Sequence, residues 1–131
     1  MDKEQIIRNY FRAWLSPNLE VVQNTFDENA IYSECYGPVY RNKKEIISWF
    51  ENWNKQGKVI AWPIERLIIN GDTSIAEWHF KCNYQGKISE FDGVSIIEFN
   101  DQNKIISVKE YQSKSKHYYP YSTVSYTHLT L

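Results

Sequence analysis

Residues 74–84 read Ser74-Ile75-Ala76-Glu77-Trp78-His79-Phe80-Lys81-Cys82-Asn83-Tyr84. The alternation sets Ala76, Trp78, Phe80, Cys82 and Tyr84 on one side and Glu77, His79 and Lys81 on the other. Successive strand side chains point to opposite faces, so this pattern predicts a half-buried strand with the ring-bearing set inside. Asn70-Gly71-Asp72 just before it is a strong hairpin signal, and Gln85-Gly86 turns the chain again after it. Working outward from these turns, strands are expected at 59–69, 88–99 and 104–114, with Asn100-Asp101-Gln102-Asn103 between the last two. Pro63 marks an edge or a bulge within the first of them.

Upstream the period changes. From Lys3 to Leu15, Ile6, Ile7, Tyr10, Phe11 and Trp14 recur at spacings of three and four, the stripe of an amphipathic helix. Ser16-Pro17-Asn18 stops that helix and caps a short second one carrying Leu19, Val22 and Phe26. Asp27-Glu28-Asn29 reads as a turn, 30–35 as a strand, and Gly37-Pro38 as its break. Asn42-Lys43-Lys44-Glu45 opens a third helix with Ile46, Ile47, Trp49, Phe50 and Trp53, ended at Gln56-Gly57. Three helices followed by a meander of long strands predict an α+β fold, with the helices on one face of an antiparallel sheet.

One domain is the natural reading of 131 residues, and neither a linker nor an internal repeat suggests another. Rings make up 16% of the chain, enough both to fill a core and to line a cavity. A net charge of −1 with no basic block argues against nucleic acid as a partner. The sequence carries neither an apolar run long enough to span a membrane nor an N-terminal leader pattern, and a cytoplasmic protein is expected. Cys35 and Cys82 lack partners at metal-ligand spacing and are read as reduced thiols. Neither a metal nor a cofactor is expected, since there is no phosphate-binding glycine loop, catalytic Ser-His-Asp order or ligand cluster.

In the strand at 88–99, Phe91, Gly93, Ser95, Ile97 and Phe99 share a face, while Val94 and Ile96 make the other face apolar too. An outer face of that kind fits a homodimer formed through the back of the sheet. For 104–114, periodicity leaves open whether Ile106, Val108, Glu110 and Gln112 or Ile105, Ser107, Lys109 and Tyr111 point inward. Asp92-Gly93 reads as a β-bulge. Residues 123–131, TVSYTHLTL, resemble the in-frame translation of a transposon adapter used for sequencing libraries. That tail is set aside from a domain of residues 1–122, and its His128 is given no role.

Helix, short helix, the strand Ala30-Ile31-Tyr32-Ser33-Glu34-Cys35-Tyr36-Gly37, then Arg41 and a third helix resemble the SnoaL-like, NTF2-like superfamily, in its ketosteroid-isomerase-like branch. The resemblance spans about residues 3–114 and implies a cone of three helices packed on a strongly curved antiparallel sheet, around a pocket for a small apolar molecule. In the steroid isomerases a strand acid shuttles a proton, while a tyrosine and a protonated aspartic acid hold the oxyanion. Tyr10 and Glu34 stand at matching places as catalytic candidates, and Ser95 stands where the aspartic acid would be, a departure that speaks against steroid isomerisation itself. The same register turns Trp78, Phe80, Val108 and Glu110 toward the cavity, with Trp14 and Phe91 completing its wall.

Each candidate also has a structural explanation. Glu34 could pair with Arg41, Tyr10 could be core, Glu110 could be solvated, and Ser95 could simply be small. The functional expectation is an isomerase, cyclase or lyase using Glu34 as general base on a carbonyl compound. A non-catalytic binder of a hydrophobic metabolite and a solid structural dimer module are the alternatives.

Overall fold

A computed structural model describes residues 1–121; residues 122–131, and with them the tail set aside at 123–131, lie outside the described residues. Three helices precede most of the sheet. α1 (Lys3–Leu15) starts at a capping box in which Asp2 and Gln5 exchange side-chain-to-backbone hydrogen bonds, and it buries the expected stripe. Asn18 caps α2 (Leu19–Thr25) and Asn42 caps α3 (Lys43–Gln56), each accepting from the backbone N–H three residues on.

The strands are β1 (Phe26–Ser33), β2 (Val39–Tyr40), β3 (Gly57–Ala61), β4 (Ile64–Asn70), β5 (Thr73–Tyr84), β6 (Lys87–Phe99) and β7 (Ile105–Ser113). They form one curled sheet in the order β2-β1-β7-β6-β5-β3, with β4 also paired to β5. The meander from β4 to β7 is antiparallel, whereas β1 lies parallel to β7, which makes the sheet mixed. Residues 59–69 are two strands rather than one. The chain breaks at Trp62-Pro63, and the two pieces run along the same edge of β5, where the Pro63 carbonyl accepts from the His79 N–H.

Helices pack against the inner face of the sheet, and the core lies between them. The inward set of β5 is as alternation requires, with Ala76, Trp78 and Cys82 buried. On β7 alternation fails once. Phe99 pairs with Ile105 and Glu98 with Ser107, so Ile106 is an extra residue that bulges outward. The bulge lets Ile105 and Val108 both reach the core and turns Glu110 inward.

Gly93 does not sit in a bulge; it pairs in register with Trp78, and a side chain there would run into that indole. Cys35 and Cys82 are free thiols. No helix among the described residues is long and apolar enough to cross a membrane.

The outer face carries two apolar cross-strand rows, Ile68-Ile75-Ile96 and Val94-Tyr111. Beside them His79 sits between two carboxylates, Nδ1 at 2.7 Å from Asp92 and Nε2 at 2.6 Å from Glu90. The Asp92 and then the Glu90 hydrogen bonds push its pKa up, so the ring favours a proton. Glu65 joins His79 and Asp92 with ligand atoms all within 4.8 Å, but a histidine that holds its proton is a poor metal ligand.

Candidate functional site

The site forms where β1 ends. After Ser33 the chain turns through Glu34 to Pro38, closed by Glu34 N–H to the Pro38 carbonyl at 2.9 Å and Gly37 N–H to the Glu34 carbonyl at 3.1 Å. Gly37 has φ +113°, a conformation that favours glycine and permits the reversal into β2. The reversal brings Tyr40 beside Glu34, and its hydroxyl donates to Glu34 Oε2 at 2.8 Å. Trp49 of α3 stacks on the Tyr40 ring at 4.6 Å and fixes that donor. Arg41 is not a partner of Glu34; it pairs with Glu45, whose carboxylate also accepts from the Arg41 backbone N–H.

Glu110 enters from β7. The Tyr32 hydroxyl donates to its Oε2 at 2.5 Å, and the Cys35 N–H donates to its Oε1 at 3.4 Å. Behind Tyr32, the Tyr10 hydroxyl donates to the Tyr32 oxygen at 3.1 Å. Tyr10, Tyr32 and Glu110 therefore form a relay of hydroxyls aimed at one carboxyl group. Burial of both phenols pushes their pKa values up, so they stay neutral donors.

Burial also raises Glu110, and the nearby charge of Glu34 raises it further. The Tyr32 and Cys35 hydrogen bonds oppose this, and the net result is a pKa of about 7. Glu34 is shifted up by burial, with the Tyr40 hydrogen bond acting against it. Two carboxyls of one site are thus held in different environments, Glu110 deep against Tyr32 and Glu34 beside Tyr40. The Cys35 thiol is pushed up to about 12 by burial and by both carboxylates, which leaves it un-ionised and a poor nucleophile.

Space at the site comes in two parts. A groove of about 940 Å³ runs between α3 and the ends of β5 and β6, walled by Tyr40, Trp49, Trp53, Tyr84 and Ser89. It leads to an inner chamber of about 40 Å³, bounded by Trp14, Trp62, Trp78, Phe80 and Phe91, with Glu110 on its wall. Glu34, Tyr36, Trp49 and Trp53 line both. The groove has the size of a small-molecule site. The chamber has room only for a group of a few atoms.

Of the residues singled out in the sequence, the chamber gathers Glu34, Trp14, Trp78, Phe80, Phe91 and Glu110. Tyr10 stands one residue removed, behind Tyr32. Ser95 is buried beneath Trp78, and its Oγ accepts the Trp78 indole N–H at 2.9 Å. Val108 is core, paired across the sheet with Tyr32. The sequence reading missed Tyr40, because a two-residue strand has no period to detect. It also missed Tyr32 as the direct partner of Glu110, since those residues meet only through the parallel β1–β7 pairing.

Comparison with known proteins agrees with this architecture. The fold is similar to that of an LEH-like epoxide hydrolase from M. tuberculosis, with TM-score 0.77 and 12% identity over 85% of this chain and 82% of that one. It is also similar to a protein with a ketosteroid isomerase-like fold from Catenulispora acidiphila DSM 44928, in complex with trimethylamine. There the TM-score is 0.72 and the identity 16%, over 81% and 83% of the two chains. An NTF-2 like protein of unknown function from Burkholderia xenovorans LB400 matches with TM-score 0.71 and 18% identity, over 90% and 88%. Identities this low carry the fold alone. Curated protein sequences give no match. The SnoaL-like domain model matches residues 7–108, most of the chain, and on that ground the protein belongs to the SnoaL-like domain family.

Proposed function

We propose that this protein binds a small, largely apolar carbonyl compound in the groove and moves a proton on the carbon next to the carbonyl. Glu34 is the general base and protonated Glu110 is the acid. The observation that carries this reading is the pair of carboxyls on one chamber wall, with Glu110 raised to about 7 and so half-protonated at neutral pH.

In this mechanism the Glu34 carboxylate takes the proton from the α-carbon, and the C–H electron pair forms the enol double bond. The carbonyl oxygen takes the Glu110 proton. The reverse transfers return a proton to carbon, at the original or a conjugated position, and restore both carboxyls. Tyr40 orients Glu34, while Tyr32 and Tyr10 orient Glu110. Tyr10 is therefore a positioning residue and touches no substrate.

The test is deuterium incorporation from D₂O into a panel of apolar cyclic ketones, followed by mass spectrometry. The wild type should accelerate exchange at the α-carbon, and Glu34→Gln should slow it by about 10²-fold or more while ketone binding persists. Binding without any catalysed exchange would overturn the reaction and leave a ligand-binding domain.

We infer also that the outer face of the sheet pairs with a second copy. Exposed Ile68 and Ile75, extended by Ile96, form an apolar row that a two-fold axis would place against itself. Sedimentation should find a dimer for the wild type and a folded monomer for Ile75→Lys. A monomeric wild type contradicts the pairing.

A further inference from the structure

Four tyrosines stand around the two carboxyls, and three of them have spent their hydroxyls. Tyr10 donates to Tyr32, Tyr32 to Glu110 and Tyr40 to Glu34. Tyr36 is the fourth. Among the described residues its hydroxyl has no hydrogen-bond partner. It is also the one tyrosine of the four that lines both the groove and the inner chamber.

Its position follows from the turn that joins β1 to β2. Backbone hydrogen bonds from Glu34 to Pro38 and from Gly37 to Glu34 fold this segment back on itself, and Tyr36 leaves it two residues after Glu34. The ring then reaches the sheet, where it meets Phe91 of β6 edge-on at 5.7 Å. Tyr36 is 54% exposed, so the residue is open to an incoming molecule. Its hydroxyl nonetheless turns into the site. Burial pushes its pKa up, and nearby Cys82, Cys35, Glu34 and Glu110 push it further, which a hydroxyl in bulk water would not experience. A phenol so placed keeps its proton at neutral pH and serves as a neutral hydrogen-bond donor.

We propose that Tyr36 touches the ligand, its hydroxyl donating to the carbonyl oxygen where the groove meets the inner chamber. This rests on the reading of the groove as a site for a carbonyl compound, and it adds the group that recognises the oxygen. The contact is a claim about binding first. When Glu34 takes the α-proton, the C–H electron pair moves into the enol double bond and negative charge collects on the oxygen. A donor already aimed at that oxygen stabilises the charge without releasing its own proton, which is left for Glu110 to supply. Base, acid and donor then come from Glu34, Glu110 and Tyr36, all of which bound the same chamber.

The experiment is infrared spectroscopy of bound cyclohexanone. Difference spectra between the carbonyl-¹³C ketone and the unlabelled ketone isolate its C=O stretch from the amide background. A hydrogen bond to the oxygen weakens the C=O bond, so the band of the wild-type complex should fall below its position in hexane. In Tyr36→Phe the band should move back part of the way, because Glu110 still donates. The variant should bind cyclohexanone several-fold to about tenfold more weakly. It should also slow α-carbon exchange in D₂O by about 10²-fold. A residue that merely shaped the turn would change affinity and leave the frequency of the bound carbonyl where it was.

The same band in wild type and Tyr36→Phe overturns the contact. So does a wild-type band at the hexane position, or no bound ketone at saturation. Tyr36→Leu removes the same hydroxyl and carries the comparison should the phenylalanine variant not fold. A band that depends on Tyr36 without Glu34-dependent exchange sinks the proton transfer and spares the contact. Glu34-dependent exchange with a band indifferent to Tyr36 does the opposite.

Discussion

Glu110→Gln should stabilise the fold by about 3 kcal/mol at pH 8 and by almost nothing at pH 4. A carboxyl whose folded pKa is about 7, against an ordinary 4.5, binds more protons in the folded than in the unfolded state across that interval. Stability therefore falls as pH rises from about 4.5 to about 7, and the full penalty of about 3 kcal/mol is present above the folded value. Glutamine keeps an oxygen to accept from Tyr32 and removes the buried charge, so the variant's stability should be nearly flat where the wild type's declines. Denaturant unfolding of both proteins at pH 4, 6 and 8 measures this. Parallel pH profiles would mean that Glu110 is ordinarily solvated and that its burial does not control its protonation. The same substitution should abolish proton transfer, so stability and activity would move in opposite directions, as is common at functional sites.

The second large effect belongs to Gly93. A Cβ built at this position would lie 2.2 and 2.5 Å from two atoms of the Trp78 ring and 2.6 Å from the Tyr111 carbonyl oxygen. The carbonyl is part of the β6–β7 ladder and cannot retreat. Trp78 is tied to Ser95 and walled in by Trp62, Phe80 and Phe91. Gly93→Ala should therefore cost about 3 kcal/mol, since forced overpacking of a filled core costs typically 1–3 kcal/mol and sometimes more. For a chain of this length that corresponds to a fall of roughly 10 °C in Tm. An unchanged Tm would show that the indole has room to shift, and the chamber wall would then be softer than described. Gly71, in the β4–β5 turn, has open space around it and offers no such clash, which separates a steric glycine from a conformational one.

What could be read from the sequence was local. The starts of α2 and α3 followed from caps at Asn18 and Asn42, because a cap is a contact between residues three apart. The inward face of β5 followed from period two. Each misreading came from a feature set by distant neighbours. Phe26 matched a helical face but opens β1, whose pairing with β7 reaches across about eighty residues. The bulge at Ile106 could not be seen by counting, and only the family resemblance turned Glu110 inward.

The site was half legible for the same reason. Glu34 and Glu110 were both singled out, but their ranking was not. Glu34 ends up half-buried at the mouth beside Tyr40, while Glu110 lies deeper, with the tyrosines behind it. Tyr10 matched a catalytic position by spacing. Its hydroxyl is spent on Tyr32, a contact that needs α1, β1 and β7 assembled together.

The central claim is that burial and the charge of Glu34 hold Glu110 half-protonated at neutral pH. A ¹³C NMR titration of the glutamate carboxyl carbons, with Glu110 assigned by Glu110→Gln, measures it directly. The account predicts an inflection for Glu110 near 7 that moves down in Glu34→Gln. An inflection near 4.5 that ignores Glu34 would contradict it.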